Sequence, residues 1–215
     1  MSRGGTPAGT IAELAERLNR QTDLSSFDLA VSSPATTLPL AVLFLGCAAP
    51  VGETPPLGLP AALELMDAAV RVHYYEPDGS LKDRLIAGDN WYARAMLSVS
   101  ALRRPDLVSV LASATASVAE GHSLPDGDPD ALRKRSALFP AAIELAILSA
   151  GVDECGPVRE YAAELGRVRE ALLGGIRTDA GGLVELRQEI DRQGLLGDYA
   201  VLLHPLVDRL AGQAS

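Results

Sequence analysis

The sequence predicts an all-α protein folded as a single helical bundle, and three observations predict it. Aromatic residues are only 4% of the chain, and no segment alternates apolar and polar residues between glycine-rich turns for any length, so strand signals are nearly absent. Apolar residues instead recur at spacings of three and four. Capping residues and prolines stand where those patterns begin.

Taken in order, residues 1 to 8 form a Gly-containing leader expected to be flexible, and residues 9 to 215 one helical domain. Thr10 and Glu13 make a capping box ahead of Ile11, Leu14 and Leu18, which places the first helix there. The most apolar stretch, Leu38 to Val51, holds Pro39, Gly46 and Pro50 and is too short to span a bilayer. Pro60 suits the first turn of a helix whose apolar face runs through Leu63, Met66, Ala69 and Val70 and which ends near Tyr75, before Pro77-Asp78-Gly79. Ser80, with Asp83 three residues on, caps a helix expected to reach Leu102, and Pro105 opens the next, Asp106 to Glu120.

The acidic segment Pro125 to Pro129 reads as a linker, with Asp128 as N-cap and Pro129 in the first helical position. The helix that follows should kink at Pro140 and stop at Gly151. Gly156-Pro157 starts another through Leu173, and two shorter helices, Leu183 to Ile190 and Gly197 to Leu210, complete the bundle. No internal repeat is detectable.

Composition narrows the function classes. The 215 residues, 47% hydrophobic and 22% charged, suffice for a sizeable core. A formal charge of -9 argues against a partner that presents a phosphate backbone or an anionic membrane surface. Cys47 and Cys155, the only cysteines, form no Cys-x-x-Cys pair, and His73, His122 and His204 share no metal-ligand spacing. With no basic-then-apolar signal sequence at the N-terminus, a reduced, cytoplasmic setting is expected.

Four segments carry a resemblance. Leu63-Glu64-Leu65-Met66-Asp67 continues without a gap to His73-Tyr74-Tyr75-Glu76-Pro77-Asp78, and Leu85-Ile86-Ala87-Gly88-Asp89 follows. Lys134-Arg135-Ser136-Ala137-Leu138-Phe139 and Tyr161-Ala162-Ala163-Glu164-Leu165-Gly166 come after, in the same order. Together they resemble the trans-isoprenyl diphosphate synthases, whose corresponding segments read Leu-Glu-Leu-x-His leading to His-Asp-Asp-x-x-Asp, Leu-Ala-Gly-Asp, Lys-Thr-Ala-x-Leu-Phe and Tyr-Gly-x-x-Leu-Gly. The resemblance covers roughly Leu38 to Gly175 and implies a shortened helical bundle of the isoprenoid-synthase type.

The departures from that pattern bear on function. Tyr74 and Tyr75 replace the first two aspartates, leaving His73 and Asp78 on the motif. After Gly166 the family continues to a second Asp-Asp-x-x-Asp, but this chain reads Arg167 to Arg177 with no aspartate. The basic Gly-Lys-x-x-Arg-Pro clamp corresponds to Pro34-Ala35-Thr36-Thr37-Leu38-Pro39, which has no basic residue. In the family the acidic clusters hold Mg²⁺ against the leaving diphosphate, and Mg²⁺ demands anionic oxygen ligands. Tyrosine, with a reference pKa of about 10, is a neutral phenol near pH 7 and a poor replacement. The span from Tyr75 to Gly88 also lacks the family's Arg-Arg-Gly segment. That shortening, with Lys82, Arg84 and Tyr92, resembles the small non-catalytic subunits of two-component hexaprenyl and heptaprenyl diphosphate synthases.

Individual residues have a functional and a plainer reading. His73 suits hydrogen-bonded packing better than general-base work. Lys134 falls on a diphosphate-contacting position of the family, yet Arg133, Lys134 and Arg135 also read as a solvated helix face. Met66, Ala69, Val70, Tyr74 and Trp91 are candidates to line a prenyl pocket, or the aromatics fill space left by metal and substrate. Gly88, Asp89 and Tyr92 are candidate interface residues, since the matching family helix packs near the dimer interface. The stripe Leu107, Val108, Leu111, Ala114, Thr115 and Val118 permits close helix contact.

The resemblance therefore implies a chain with no catalytic residues of its own: a regulatory or structural subunit of a heteromeric polyprenyl diphosphate synthase in isoprenoid biosynthesis. It would pair with an Asp-rich catalytic subunit that carries the Mg²⁺, and would itself need no cofactor. Two alternatives stand beside it. One is a stand-alone pseudoenzyme homodimer holding a prenyl or other apolar ligand. The other is a weak Mg²⁺-dependent prenyltransferase or diphosphate lyase using Asp67, Glu76, Asp78 and Asp83.

Overall fold

The computed structural model describes residues 6–22, 38–49, 57–76, 80–125, 127–152 and 155–214. These form ten α-helices: α1 Pro7–Thr22, α2 Pro39–Ala48, α3 Gly58–Tyr74, α4 Leu81–Ser100, α5 Pro105–Ser123, α6 Ala131–Arg135, α7 Leu138–Ala150, α8 Gly156–Leu173, α9 Gly181–Gln193 and α10 Ala200–Gln213. A 3₁₀ turn, Gly197–Tyr199, leads into α10, and no strand occurs among the described residues. The all-α expectation holds.

Two apolar helices make the centre. Every residue of α2 is buried, and so is most of α7. A helix that is hydrophobic all round belongs in a core, because no face of it gains from water. The α2 helix packs on α7 and α3, and α7 also meets α5 and α8. The α3 helix is buried on every side from Leu59 to Asp67, and the amphipathic helices α5, α8 and α10 each contribute one apolar stripe, such as Leu107, Leu111, Ala114 and Val118 from α5.

Local chemistry explains most boundaries. Ser80 Oγ accepts the Asp83 amide hydrogen at 3.1 Å and donates to Asp83 Oδ2 at 2.7 Å, fixing the start of α4. Pro105 and Pro157 occupy the first turns of α5 and α8, and Gly151 ends α7 in the left-handed conformation.

Three expectations need correction. The first helix begins at Pro7, because Thr6 Oγ1 accepts from the Gly9 amide at 3.2 Å and proline takes the position after the cap; Thr10 lies inside the helix, its hydroxyl bonded to Thr6 O. Asp128 is not the cap of α6. It accepts from the Asp130 amide at 2.8 Å in a tight turn, and Asp130 precedes the helix. Pro140 produces no kink in a continuous helix, since the helix is interrupted by a turn between Arg135 and Leu138 and the proline sits in the first turn of α7, where it needs no amide partner. Residues 1–5 of the expected leader, residues 34–37 of the replaced basic clamp, the end of the Leu38 to Val51 stretch, Asp78 and Asp126 all lie outside the described residues.

The contact of α5 with α6 depends on Gly121. A Cβ there would lie 2.6 Å from the Arg135 amide nitrogen and 2.9 Å from the Ala131 carbonyl oxygen, both backbone atoms that cannot turn aside. Gly121→Ala gains about 1 kcal/mol of helix propensity, but overpacking costs about 1–3 kcal/mol. A net loss of stability, read as a lower urea midpoint at unchanged slope, is expected.

Candidate functional site

The segments that carry the resemblance meet in pairs. His73, one residue before the end of α3, lies against Gly88 of α4, where an added Cβ would fall 2.0 Å from His73 Nε2. His73 Nε2 is 3.3 Å from Leu85 O and 3.7 Å from the exposed Asp89 carboxylate, and the half-buried Tyr92 meets the imidazole edge-on. His73 and Gly88 thus lock α3 to α4 within one chain. Gly166 on α8 accommodates the ring of Phe139 on α7, which a Cβ would approach to 2.7 Å.

Between α3 and α8 stands a buried ionic network. Asp67, 2% exposed, projects from the inner face of α3. Arg169 of α8 donates to both its oxygens, each at 2.8 Å, and Arg71 Nε donates to Oδ2 at 3.2 Å. The paired fork of Arg169 matches a carboxylate in two parallel bonds, the strongest neutralising geometry available to a side chain. Arg169 also lies over the Phe139 ring, 5.5 Å from its centre, and donates to Glu170 Oε1 at 3.2 Å. Tyr75 closes the network by donating its hydroxyl to Glu170 Oε2 at 2.6 Å.

Burial alone would raise the Asp67 carboxyl, but the Arg169 and Arg71 guanidiniums hold it below its ordinary value. Burial lowers the acidity of Tyr75, and the neighbouring Glu170 carboxylate adds to that effect, so the phenol keeps its proton. Glu64, one turn before Asp67, has a different fate. Burial, then the Asp67 charge, pushes it up to about 8, against the opposing bond that its Oε1 accepts from the Ala41 amide at 2.7 Å. Among the described residues its Oε2 has no hydrogen-bond partner.

Tyr74 stacks on His122 of α5, ring centres 3.6 Å apart and planes within 4°. Burial and the Arg135 charge push His122 down to about 4, leaving a neutral imidazole suited to aromatic stacking. Lys134 pairs with Glu120, and Arg135 donates from Nε to Gly121 O at 2.9 Å. Met66, Ala69, Val70 and Trp91 are buried in the core. Two cavities, about 570 Å³ beside Ser113 and Glu144 and about 560 Å³ beside Ile176 and Arg177, are lined by other residues.

These residues do not fit a magnesium site. Both oxygens of Asp67 are committed to guanidiniums, Glu170 is bound by Arg169 and Tyr75, Tyr75 keeps its phenol proton, and the Tyr74 ring is stacked on His122. Asp83 is spent on capping α4. Among the described residues no three His, Cys, Asp or Glu side chains are grouped to hold a metal. Sequence reasoning missed the network. Its signal was the presence of Glu64 and Asp67 on the apolar face of Leu63, Met66 and Val70, and of Arg169 and Glu170 on the helix of Leu165 and Val168.

The helical arrangement is the isoprenoid-synthase fold. It is similar to a decaprenyl diphosphate synthase from Rhodobacter capsulatus (TM-score 0.59, 19% identity, 97% of this chain and 96% of that one). It is similar also to a geranyltranstransferase from Thermotoga maritima (TM-score 0.63, 15% identity, 94% and 97%). A third is a polyprenyl synthase from Caulobacter crescentus complexed with calcium and isoprenyl diphosphate (TM-score 0.56, 20% identity, 96% and 87%). No protein-family model and no curated protein sequence matches the chain. At these identities the likeness shows the fold, and function rests on the site.

Proposed function

We propose that the chain is a non-catalytic subunit of a heteromeric trans-polyprenyl diphosphate synthase in isoprenoid biosynthesis, acting in the cytoplasm. The reading rests above all on the Arg169–Asp67 pair, which neutralises from within the space that a catalytic member of this fold needs negative. A scaffold whose two facing helices are tied together by a buried guanidinium keeps its shape without metal. No described helix is long and apolar enough to cross a membrane.

The surface of α4 supports a partner. Ile86 and Leu97, 58% and 70% exposed, stand three turns apart on one side of that helix. An Asp-rich catalytic subunit covering them would place this chain beside its elongation tunnel, where it would set product length. Co-expression with candidate Asp-rich synthases should give a complex that survives size exclusion and shifts the chain-length distribution of the product. Absence of any complex, with products unchanged, would sink the proposal.

The same exposed residues support a second reading, a homodimer that holds an apolar ligand. Sedimentation of the isolated chain, with mass spectrometry of extracted lipid, separates the two, because a self-associating chain that retains lipid needs no catalytic partner.

A further inference from the structure

The only two cysteines of the chain come from distant parts of the sequence, and the fold brings them together. Cys47 lies in the last turn of α2 and is 1% exposed. Cys155 precedes the first residue of α8 and is half-buried. Neither cysteine is in a disulfide, and the two side chains share a hydrogen bond. Two cysteine side chains in contact across separate elements meet the first geometric requirement for a disulfide.

We propose that Cys47 and Cys155 form a dithiol modification site that reacts with small-molecule disulfides of the glutathione type and closes an intramolecular disulfide. Differential burial sets the order of events. Cys155 is the reachable sulfur. Cys47 is shielded, and burial, with the adjacent Cys155, pushes its thiol up to about 12 while Arg159 pulls it back. Cys155, as thiolate, attacks one sulfur of the small disulfide, forming a mixed disulfide and releasing one small thiolate. Cys47 then attacks Cys155 Sγ, its proton passing to the released thiolate, and the second small thiolate departs. In sum two protein thiols are oxidised, one small disulfide is reduced to two thiols, and no other oxidant is required.

The bond would tie the end of the wholly buried α2 to the start of α8, the helix that carries Arg169 and Glu170. Oxidation would thus tighten the hold on α8 at the end remote from the ionic network. Closing so long a loop restricts the unfolded chain strongly.

The test uses the full chain, reduced, then exposed to oxidised glutathione, quenched with iodoacetamide and analysed by intact mass and non-reducing peptide mapping. The parent chain should become lighter by two hydrogens, retain no glutathione, yield a Cys47–Cys155 peptide and melt at a higher temperature, a gain reversed by dithiothreitol. Cys47→Ser should stop at one glutathione on Cys155, and Cys155→Ser should stay unmodified. Three outcomes each overturn the proposal: no reaction of the parent chain, a stable glutathione adduct without the cross-link, or a cross-link between two chains.

Discussion

Arg169→Ala is expected to destabilise the fold by about 3–5 kcal/mol, the range for removing one partner of a buried ion pair. The reason is what remains. Asp67 is 2% exposed and would lose two bonds at once, keeping only the longer one from Arg71. Glu170 would lose a donor and Phe139 the cation over its ring. The pair itself need not be worth that much, because a well-packed apolar replacement avoids the desolvation of both charges. Asp67→Leu combined with Arg169→Met should therefore recover most of the loss. Urea denaturation of Asp67→Leu, Arg169→Met and the double variant, beside Arg169→Ala, measures the coupling. A single-variant loss under about 1 kcal/mol, or a double variant no better than Arg169→Ala, would contradict the network as described.

The sequence made some of this legible and hid the rest for physical reasons. Boundaries set by local chemistry were readable: Ser80 with Asp83, Pro105, Gly151 and Gly156-Pro157 act on their own neighbours, and the helices begin or end there. The α2 helix was not readable. A helix buried on every side has no polar stripe, so its residues carry no periodicity to detect, and Pro39 and Gly46 made the stretch look broken. The break before α7 was misplaced because proline reads the same inside a kinked helix as in the first turn of a new one.

The site divides in the same way. Tyr74 and Tyr75 were visible as replacements, and the lack of any aspartate from Arg167 to Arg177 was visible as a loss. What fills the loss was not. Asp67 and Arg169 are 102 residues apart, and only the fold, which lets side chains of α8 reach α3, makes them one pair. Local pattern reading finds partners a turn away, such as Arg71 for Asp67.

Glu64→Gln provides the second large effect, and it depends on pH. The folded state raises this carboxyl from 4.5 to about 8, so the folded chain keeps a proton that the unfolded chain releases. Its contribution is fully present below about pH 4.5, declines as pH rises toward 8 and is gone above that. The slope approaches at most about 1.4 kcal/mol per pH unit. Asp67 runs the opposite way, since its lowered value contributes stability that is lost as pH falls through the acidic range. Glutamine imitates the protonated acid, keeps an oxygen for the Ala41 amide and cannot ionise beside Asp67. The variant should match the parent near pH 5 and exceed it by on the order of 3 kcal/mol near pH 8. Glu64→Ala, which strands the Ala41 amide, should lose about 1–3 kcal/mol relative to glutamine at every pH. Urea midpoints across the range measure all three, and equal pH slopes for parent and Glu64→Gln would show that the buried carboxyl is not the group that titrates.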